Sequence, residues 1–333
     1  MSHHKKILII APSWVGDLVM SQALLRLIKD KNPECSIDVF APLFLHPLLQ
    51  RMPEVDNCLV APFKHGELKL IERFKLAKSL RKNFYTHSYI LPNSFKSALI
   101  PFFAKIPYRI GWRGEMRYFI VNCMKRSPKK TPLMVEHYVT LGYDGNEEFT
   151  GNFLLPKLQV RPPQRNTLSG KPILAMCPGV SFGDAKRWPV GHFAEVARVK
   201  KNEGWEVWIF GSDTERIIAQ EIQEKCHNVC LDLTGKTDLG ETADLLSLAT
   251  AVLANDSGLM HIAAALSKPL VAVYGPTSPN IAPPLSDNKF KILCLNLSCS
   301  PCEKRWCPLK YNRCMHELKP EMILKALSRD NSL

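Results

Sequence analysis

No stretch of this 333-residue chain is apolar for long enough to cross a bilayer. A membrane helix needs about 18 apolar residues in succession. The nearest approach, residues 97–106, is broken by Pro101 and Lys105 and preceded by Lys96. At the N-terminus, MSHHKKILIIAPSW holds an apolar run of about six residues, too short for a secretion signal. A cytoplasmic protein is expected, with its eleven cysteines mostly reduced. Three nucleotide and metal signatures are also missing: the G-x-G-x-x-G dinucleotide fingerprint, the G-x-x-x-x-G-K-[ST] phosphate loop, and any Asp-x-Asp pair. Dinucleotide redox chemistry and P-loop hydrolysis therefore have no motif here, and none requires a diphosphate-bound metal. Acidic residues are scarce, 31 against 44 Lys and Arg, for a formal charge of +13. That surplus points to an acidic partner, whether nucleic acid, an anionic membrane face or a phosphorylated substrate.

What is present is globular and repetitive in plan. Hydrophobic residues make up 46% and charged residues 23%, as in soluble domains. The length suits two domains of about 150 residues each. Strand-like runs alternate with helical periodicity from Lys5–Ala11 onward. The Pro-, Ser- and Gly-rich stretch 155–170 interrupts the alternation, which then restarts at 173–177. The expected architecture is α/β, with two Rossmann-like domains facing each other across a cleft. Residues 1–160 form the first domain and 161–318 the second, and a closing helix at 319–333 packs back on the first.

Chemistry concentrates in a few places. Residues 251–276 read as strand, polar turn (Asn255, Asp256, Ser257, Gly258), short apolar helix and strand, a βαβ unit. Its turn sits at the amino end of a helix, where unbonded N–H groups and the helix dipole favour an anion. Asp256 suits an N-cap, but capping leaves His261, a titratable group on an apolar helix, without explanation. The loop 178–189, PGVSFGDAKRWP, offers two glycines for close backbone approach together with Ser181, Lys186 and Arg187. Asp17 opens the first helix on the rim of an α/β crevice, either as a dipole-stabilising carboxylate or as a general base. Arg109, Arg113, Arg117, Lys125, Arg126, Lys129 and Lys130 crowd around Trp112 and two glycines, as in an anion-binding loop. Near the C-terminus, Cys299, Cys302, Cys307 and Cys314 have spacing compatible with structural zinc or an iron–sulfur group, with bystander thiols or disulfides as the alternatives.

Taken together, WVGD (14–17), LPNSFKSALIPFF (91–103), GWRGEMRY (111–118), PGVSFGDAKRWP (178–189) and NDSGLMHIAAAL (255–266) resemble the ADP-heptose:lipopolysaccharide heptosyltransferases of glycosyltransferase family 9. The resemblance spans essentially the whole chain and implies the GT-B fold. It implies Asp17 as the base that deprotonates the acceptor hydroxyl, with Lys186 and Ser181 on the donor's phosphates. Ser257, Gly258 and Leu259 would hold the diphosphate by backbone N–H, with His261 near it. Asp256 would meet the heptose hydroxyls, Asp213 the ribose and Thr237 the adenine. Asn93, Lys96, Arg109, Trp112, Arg113 and Arg117 would contact the acceptor, a lipid A inner core already carrying one heptose. The implied enzyme is an inverting transferase that needs no metal and is a monomer at the anionic cytoplasmic membrane face. The Cys-rich tail is not shared by every relative, so its role does not carry over.

Two rivals remain at this level. Another member of the family would use a different acceptor, which the 91–118 motifs argue against. A basic nucleic-acid-binding protein with a metal-like tail is the rival of a different class. Against it, the basic residues are not interleaved with exposed aromatics and no recognition motif occurs.

Overall fold

A computed structural model describes residues 5–64, 66–126, 133–143, 149–161, 170–181 and 183–328. The chain divides into two compact units, Met1–Pro156 and Lys157–Leu333. The division falls a few residues before the expected boundary at 160.

The first unit runs β1 (Lys6–Ile10), α1 (Val15–Lys31), β2 (Ser36–Ala41), α2 (His46–Leu49), β3 (Asn57–Val60), α3 (Leu70–Leu80), β4 (His87–Ile90), α4 (Phe95–Phe103), β5 (Tyr108–Trp112), β6 (Cys123–Lys125) and α5 (Met134–Val139). Its six strands lie in the order β3-β2-β1-β4-β5-β6, and every pairing is parallel. The β1 sequence KILII is almost wholly buried, as expected for a parallel strand covered on both faces. Strand β6 and helix α5 are too short to show periodicity, so the sequence does not reveal them.

The second unit runs β7 (Ile173–Cys177), α6 (Val190–Asn202), β8 (Glu206–Ile209), α7 (Arg216–Lys225), β9 (Leu231–Asp232), α8 (Leu239–Leu246), β10 (Ala251–Asn255), α9 (Gly258–Ala265), β11 (Leu270–Val273), β12 (Phe290–Leu293), α10 (Arg313–His316) and α11 (Pro320–Leu327). Its sheet repeats the plan of the first, in the order β12-β11-β10-β7-β8-β9, again parallel throughout. The sequence places the closing helix on the N-terminal domain. The structure instead puts Ile323, Ala326 and Leu327 of α11 in the second unit's own core, with Phe193 and Val196 of α6 and Val271 of β11. An amphipathic helix buries its apolar stripe on the nearest open core, and here that core is local.

Each sheet reverses its strand order once, between β1 and β4 in the first unit and between β7 and β10 in the second. Crevices at the carboxyl ends of such paired strands are where open α/β sheets bind ligands. Asp17 follows β1, while the 178–189 and 256–258 loops follow β7 and β10. Among the described residues, no helix is long and apolar enough to cross a membrane.

Candidate active site

In the second unit Asn255, at the end of β10, ties the two chemical loops together. Its side-chain amide donates to the Pro178 carbonyl at 2.7 Å, and its Oδ1 accepts the Trp188 main-chain N–H at 3.3 Å. Both ends of the lysine loop are thereby fastened to the strand that leads into the turn. Trp188 is fully buried and donates its indole N–H to the Leu318 carbonyl, anchoring the loop more deeply. Lys186 is delivered to Asp256, with its Nζ 2.5 Å from Oδ2. Thr277, in the loop after β11, donates its hydroxyl to the same oxygen at 2.6 Å. Asp256 therefore orients Lys186 rather than capping α9.

Ser257 occupies the N-cap position of α9, yet its side chain makes no capping bond. Its Oγ is buried without a hydrogen-bond partner among the described residues. A buried hydroxyl left this way is costly, and here it stands beside a helix end whose first N–H groups lack intrahelical acceptors. His261 is buried one turn further along α9. Burial holds its pKa down to about 4; Lys186 lowers it too, while Asp256 pulls the other way. The imidazole is neutral at pH 7, leaving the ammonium of Lys186 as the charge beside it. Tyr274, at the end of β11, is pushed up by burial and by Asp256 and keeps its proton, which it donates to the Ala282 carbonyl.

Other donor-side expectations fare differently. Ser181 is exposed in the lysine loop. Asp213 points to solvent and pairs with Arg216 at 2.7 Å. The carboxylate that approaches the loop is Glu215, two residues on. A Cβ at Gly179 would overlap its carboxylate end, so a larger residue there would push the Glu215 side chain aside. Glu215 also accepts from the main-chain N–H and hydroxyl of Ser212 at 2.6 and 2.8 Å. Thr237 is engaged with Thr242, oxygen to oxygen at 2.8 Å.

In the first unit Asp17 lies in the first turn of α1, half-buried. The Tyr138 hydroxyl, from α5, donates to its Oδ1 at 3.0 Å. Burial, with Asp17 adding to it, raises the Tyr138 pKa well above the usual phenol value. Tyr138 thus stays a donor and fixes the carboxylate's orientation. No sequence signal marks it, because 121 residues separate the pair.

The basic cluster of the first unit needs correction. Arg117 is fully buried. Its guanidinium donates to the carbonyls of Trp112 and Pro92, both at 2.7 Å, and to the Asn93 side chain at 3.2 Å. Arg109 donates to the carbonyls of Ile106 and Ile120, and Lys125 to those of Thr140 and Leu141. Trp112 is buried, bonded to the His137 carbonyl and stacked on the His137 ring. These groups build the loop rather than face a ligand. Asn93 and Arg113 are exposed and Lys96 is half-exposed, all at the carboxyl end of the sheet. Lys129 and Lys130 lie outside the described residues.

Of the tail cysteines, Cys299 is exposed, Cys302 and Cys307 are half-buried and Cys314 is buried. Burial pushes the Cys314 thiol up to about 11, with the neighbouring thiols adding to it. Among the described residues, no three His, Cys, Asp or Glu side chains are grouped to hold a metal.

Residues 73–312 match the model of glycosyltransferase family 9 (heptosyltransferase). The chain is 43% identical to lipopolysaccharide heptosyltransferase 2 of Salmonella typhimurium, over 97% of both chains. It is 42% identical to lipooligosaccharide heptosyltransferase 2 of Haemophilus influenzae, over 97% of this chain and 98% of that one. The solved structure of E. coli ADP-heptose LPS heptosyltransferase II superposes with a TM-score of 0.86 at 41% identity, covering 97% of each chain. Both α/β units fall within that match, which gives the GT-B-like fold class expected from the sequence.

Proposed function

The chain belongs to glycosyltransferase family 9, and on that premise we propose that it transfers heptose from ADP-heptose to an inner-core lipopolysaccharide acceptor already bearing one heptose. The observation that carries this reading is the head of α9. There Lys186 is aligned by Asp256 and Thr277 beside the buried, unpartnered Ser257 hydroxyl. That arrangement is a donor set for a diphosphate. The leaving ADP gains negative charge as the glycosidic bond breaks. A fixed ammonium, a hydroxyl and the first N–H groups of a helix at Ser257, Gly258 and Leu259 then stabilise the transition state more than the ground state. The sequence has no Asp-x-Asp pair, and the Lys186 cation supplies the positive charge that a metal gives elsewhere.

Asp17, oriented by Tyr138, takes the proton from the attacking acceptor hydroxyl. Inversion requires the base and the leaving-group donors on opposite faces of the anomeric carbon. On the acceptor side the exposed Asn93 and Arg113 and the half-exposed Lys96 contact the acidic core sugars. The enzyme works as a monomer at an anionic membrane face, where its lipid-anchored acceptor resides.

The test is transfer from ADP-heptose to purified core acceptor with and without the first heptose. Wild type is expected to use the heptosylated acceptor, and Asp17→Ala to lose at least about 10²-fold in kcat. Transfer to the heptose-free core instead would assign the other acceptor.

A further inference from the structure

Helices α3 and α4 and the segment 117–121 cover one face of the first sheet. Their inner residues share a single core: Ala77 and Leu80, Ala98 and Ala104, and Val121, against Leu8, Ile10 and Ile90 of the strands. Their outer residues therefore share one surface, and that surface is unusual in composition. On α3, Ile71 (68% exposed), Phe74, Lys75 and Lys78 follow the helical repeat along the outer side, and Lys82 follows them in the turn just past its end. On α4, Phe95 and Phe102 stand two turns apart, both exposed. Phe119 is 91% exposed on the neighbouring segment. Every phenylalanine among the exposed large apolar side chains of the described residues belongs to this unit, so the apolar exposure is not spread evenly over the molecule.

The patch is continuous rather than scattered. Phe74 meets Phe103 at a ring separation of 5.4 Å, Phe103 meets Phe102 at 5.5 Å, and the Arg109 guanidinium lies 5.7 Å from the Phe102 ring. Lys75, Lys78 and Lys82 are exposed and enter no ion pair among the described residues. The helix has a single carboxylate, Glu72, in its first turn. Exposed aromatic and aliphatic groups thus stand among lysines here, although the sequence predicts no interleaving of basic residues with exposed aromatics. The combination complements an interface with apolar depth and negative headgroups. A folded protein partner would match the apolar part but gives no reason for unpaired lysines along the same stripe. The amino end of α4, with Phe95, is also at the carboxyl end of the sheet, where Asp17 and Asn93 follow β1 and β4, so a bilayer against this face would lie beside the acceptor residues.

We infer that the outer face of α3, α4 and residues 117–121 is the docking surface for an anionic phospholipid leaflet. This rests on the lipid-anchored acceptor proposed above, and it names the part of the molecule that meets the membrane. The lysines draw the surface to the headgroups, and Ile71, Phe74 and Phe119 enter the boundary beneath them.

The experiment is co-sedimentation with vesicles of phosphatidylglycerol and phosphatidylethanolamine, using phosphatidylcholine vesicles as the control. It compares wild type, Lys75→Glu/Lys78→Glu/Lys82→Glu and Ile71→Ser/Phe119→Ser, with transfer to a deacylated, water-soluble core acceptor measured in parallel. Wild type is expected to sediment with the anionic vesicles and to be released by salt. The glutamate variant should lose about 10²-fold in partitioning and the serine variant about tenfold. Both should keep wild-type transfer to the soluble acceptor, which shows that they are folded. Equal sedimentation of all three proteins overturns the inference, as does wild type that ignores anionic vesicles. A wild-type dimer that Ile71→Ser/Phe119→Ser converts to monomer overturns it too, because the face would then belong to a second copy. Failure of wild type to use the soluble acceptor while it still binds vesicles would count against the proposed reaction and leave the docking surface standing.

Discussion

Lys186 and Arg117 each sit in a basic loop that the sequence marks as chemical, and both are drawn inward. Lys186 ends on a carboxylate, Asp256, that also accepts from Thr277 and stands beside the partnerless hydroxyl of Ser257. Arg117 ends on main-chain carbonyls of Trp112 and Pro92, with no carboxylate near enough for an ion pair among the described residues. A guanidinium that bridges carbonyls acts as scaffold, holding the 111–118 loop to the end of β4. An ammonium held by one side-chain carboxylate at a helix N-terminus is part of a polar set that an anion can join. The kind of partner, more than depth or charge, separates a structural cation from a ligand-facing one.

That contrast can be broken experimentally, and the largest effect belongs to Arg117. Arg117→Met should cost about 4 kcal/mol in denaturant unfolding, since it strands several buried carbonyls at once. No second substitution can restore main-chain partners. Lys186→Met should cost about 3 kcal/mol by leaving the Asp256 charge buried and unpaired. Adding Asp256→Asn should recover most of that stability while ADP-heptose binding, followed by calorimetry, stays weakened by about 10²-fold. If the double variant recovers donor binding as well, Lys186 is scaffold like Arg117 and the contrast fails.

His261 sharpens the comparison through pH. Its folded pKa of about 4 lies below the ordinary 6.5, so between those values the unfolded chain binds a proton that the folded chain refuses. Unfolding free energy should therefore be complete above pH 6.5 and fall as pH drops toward 4, by at most about 3 kcal/mol from this group. His261→Gln should flatten that part of the stability–pH curve, and an unchanged slope would mean the imidazole is already charged beside Lys186. The smallest effect is at Ser257. Ser257→Ala should leave apo stability unchanged or slightly raised, because it removes an unsatisfied hydroxyl. It should weaken ADP-heptose by about fivefold, the scale of one hydrogen bond.

The alternating βα pattern and the 255–258 turn were legible in sequence because each rests on neighbours within a few residues. Asp17 and Lys186 were legible as chemical types in local motifs. The sequence could not show that Asn255 fastens the lysine loop, that Thr277 shares Asp256, or that Tyr138 orients Asp17. Those pairs lie 67, 21 and 121 residues apart. Nor could it separate Asp213, turned to solvent, from Glu215, turned under Gly179. The two sit in one short turn, and only the close approach of another strand's loop distinguishes them.

Local sequence thus determined two Rossmann-like halves, a helix end suited to an anion and a carboxylate on a crevice rim. Periodicity, capping and turn chemistry act over one or two turns of chain. Tertiary structure decided which polar groups keep their partners within the fold and which stand ready for a ligand. A basic motif reads alike in sequence whether its side chains meet carbonyls or a carboxylate. Only packing sets the partner, and burial without a partner is costly enough that the fold spends Arg117, Arg109 and Lys125 on its own backbone.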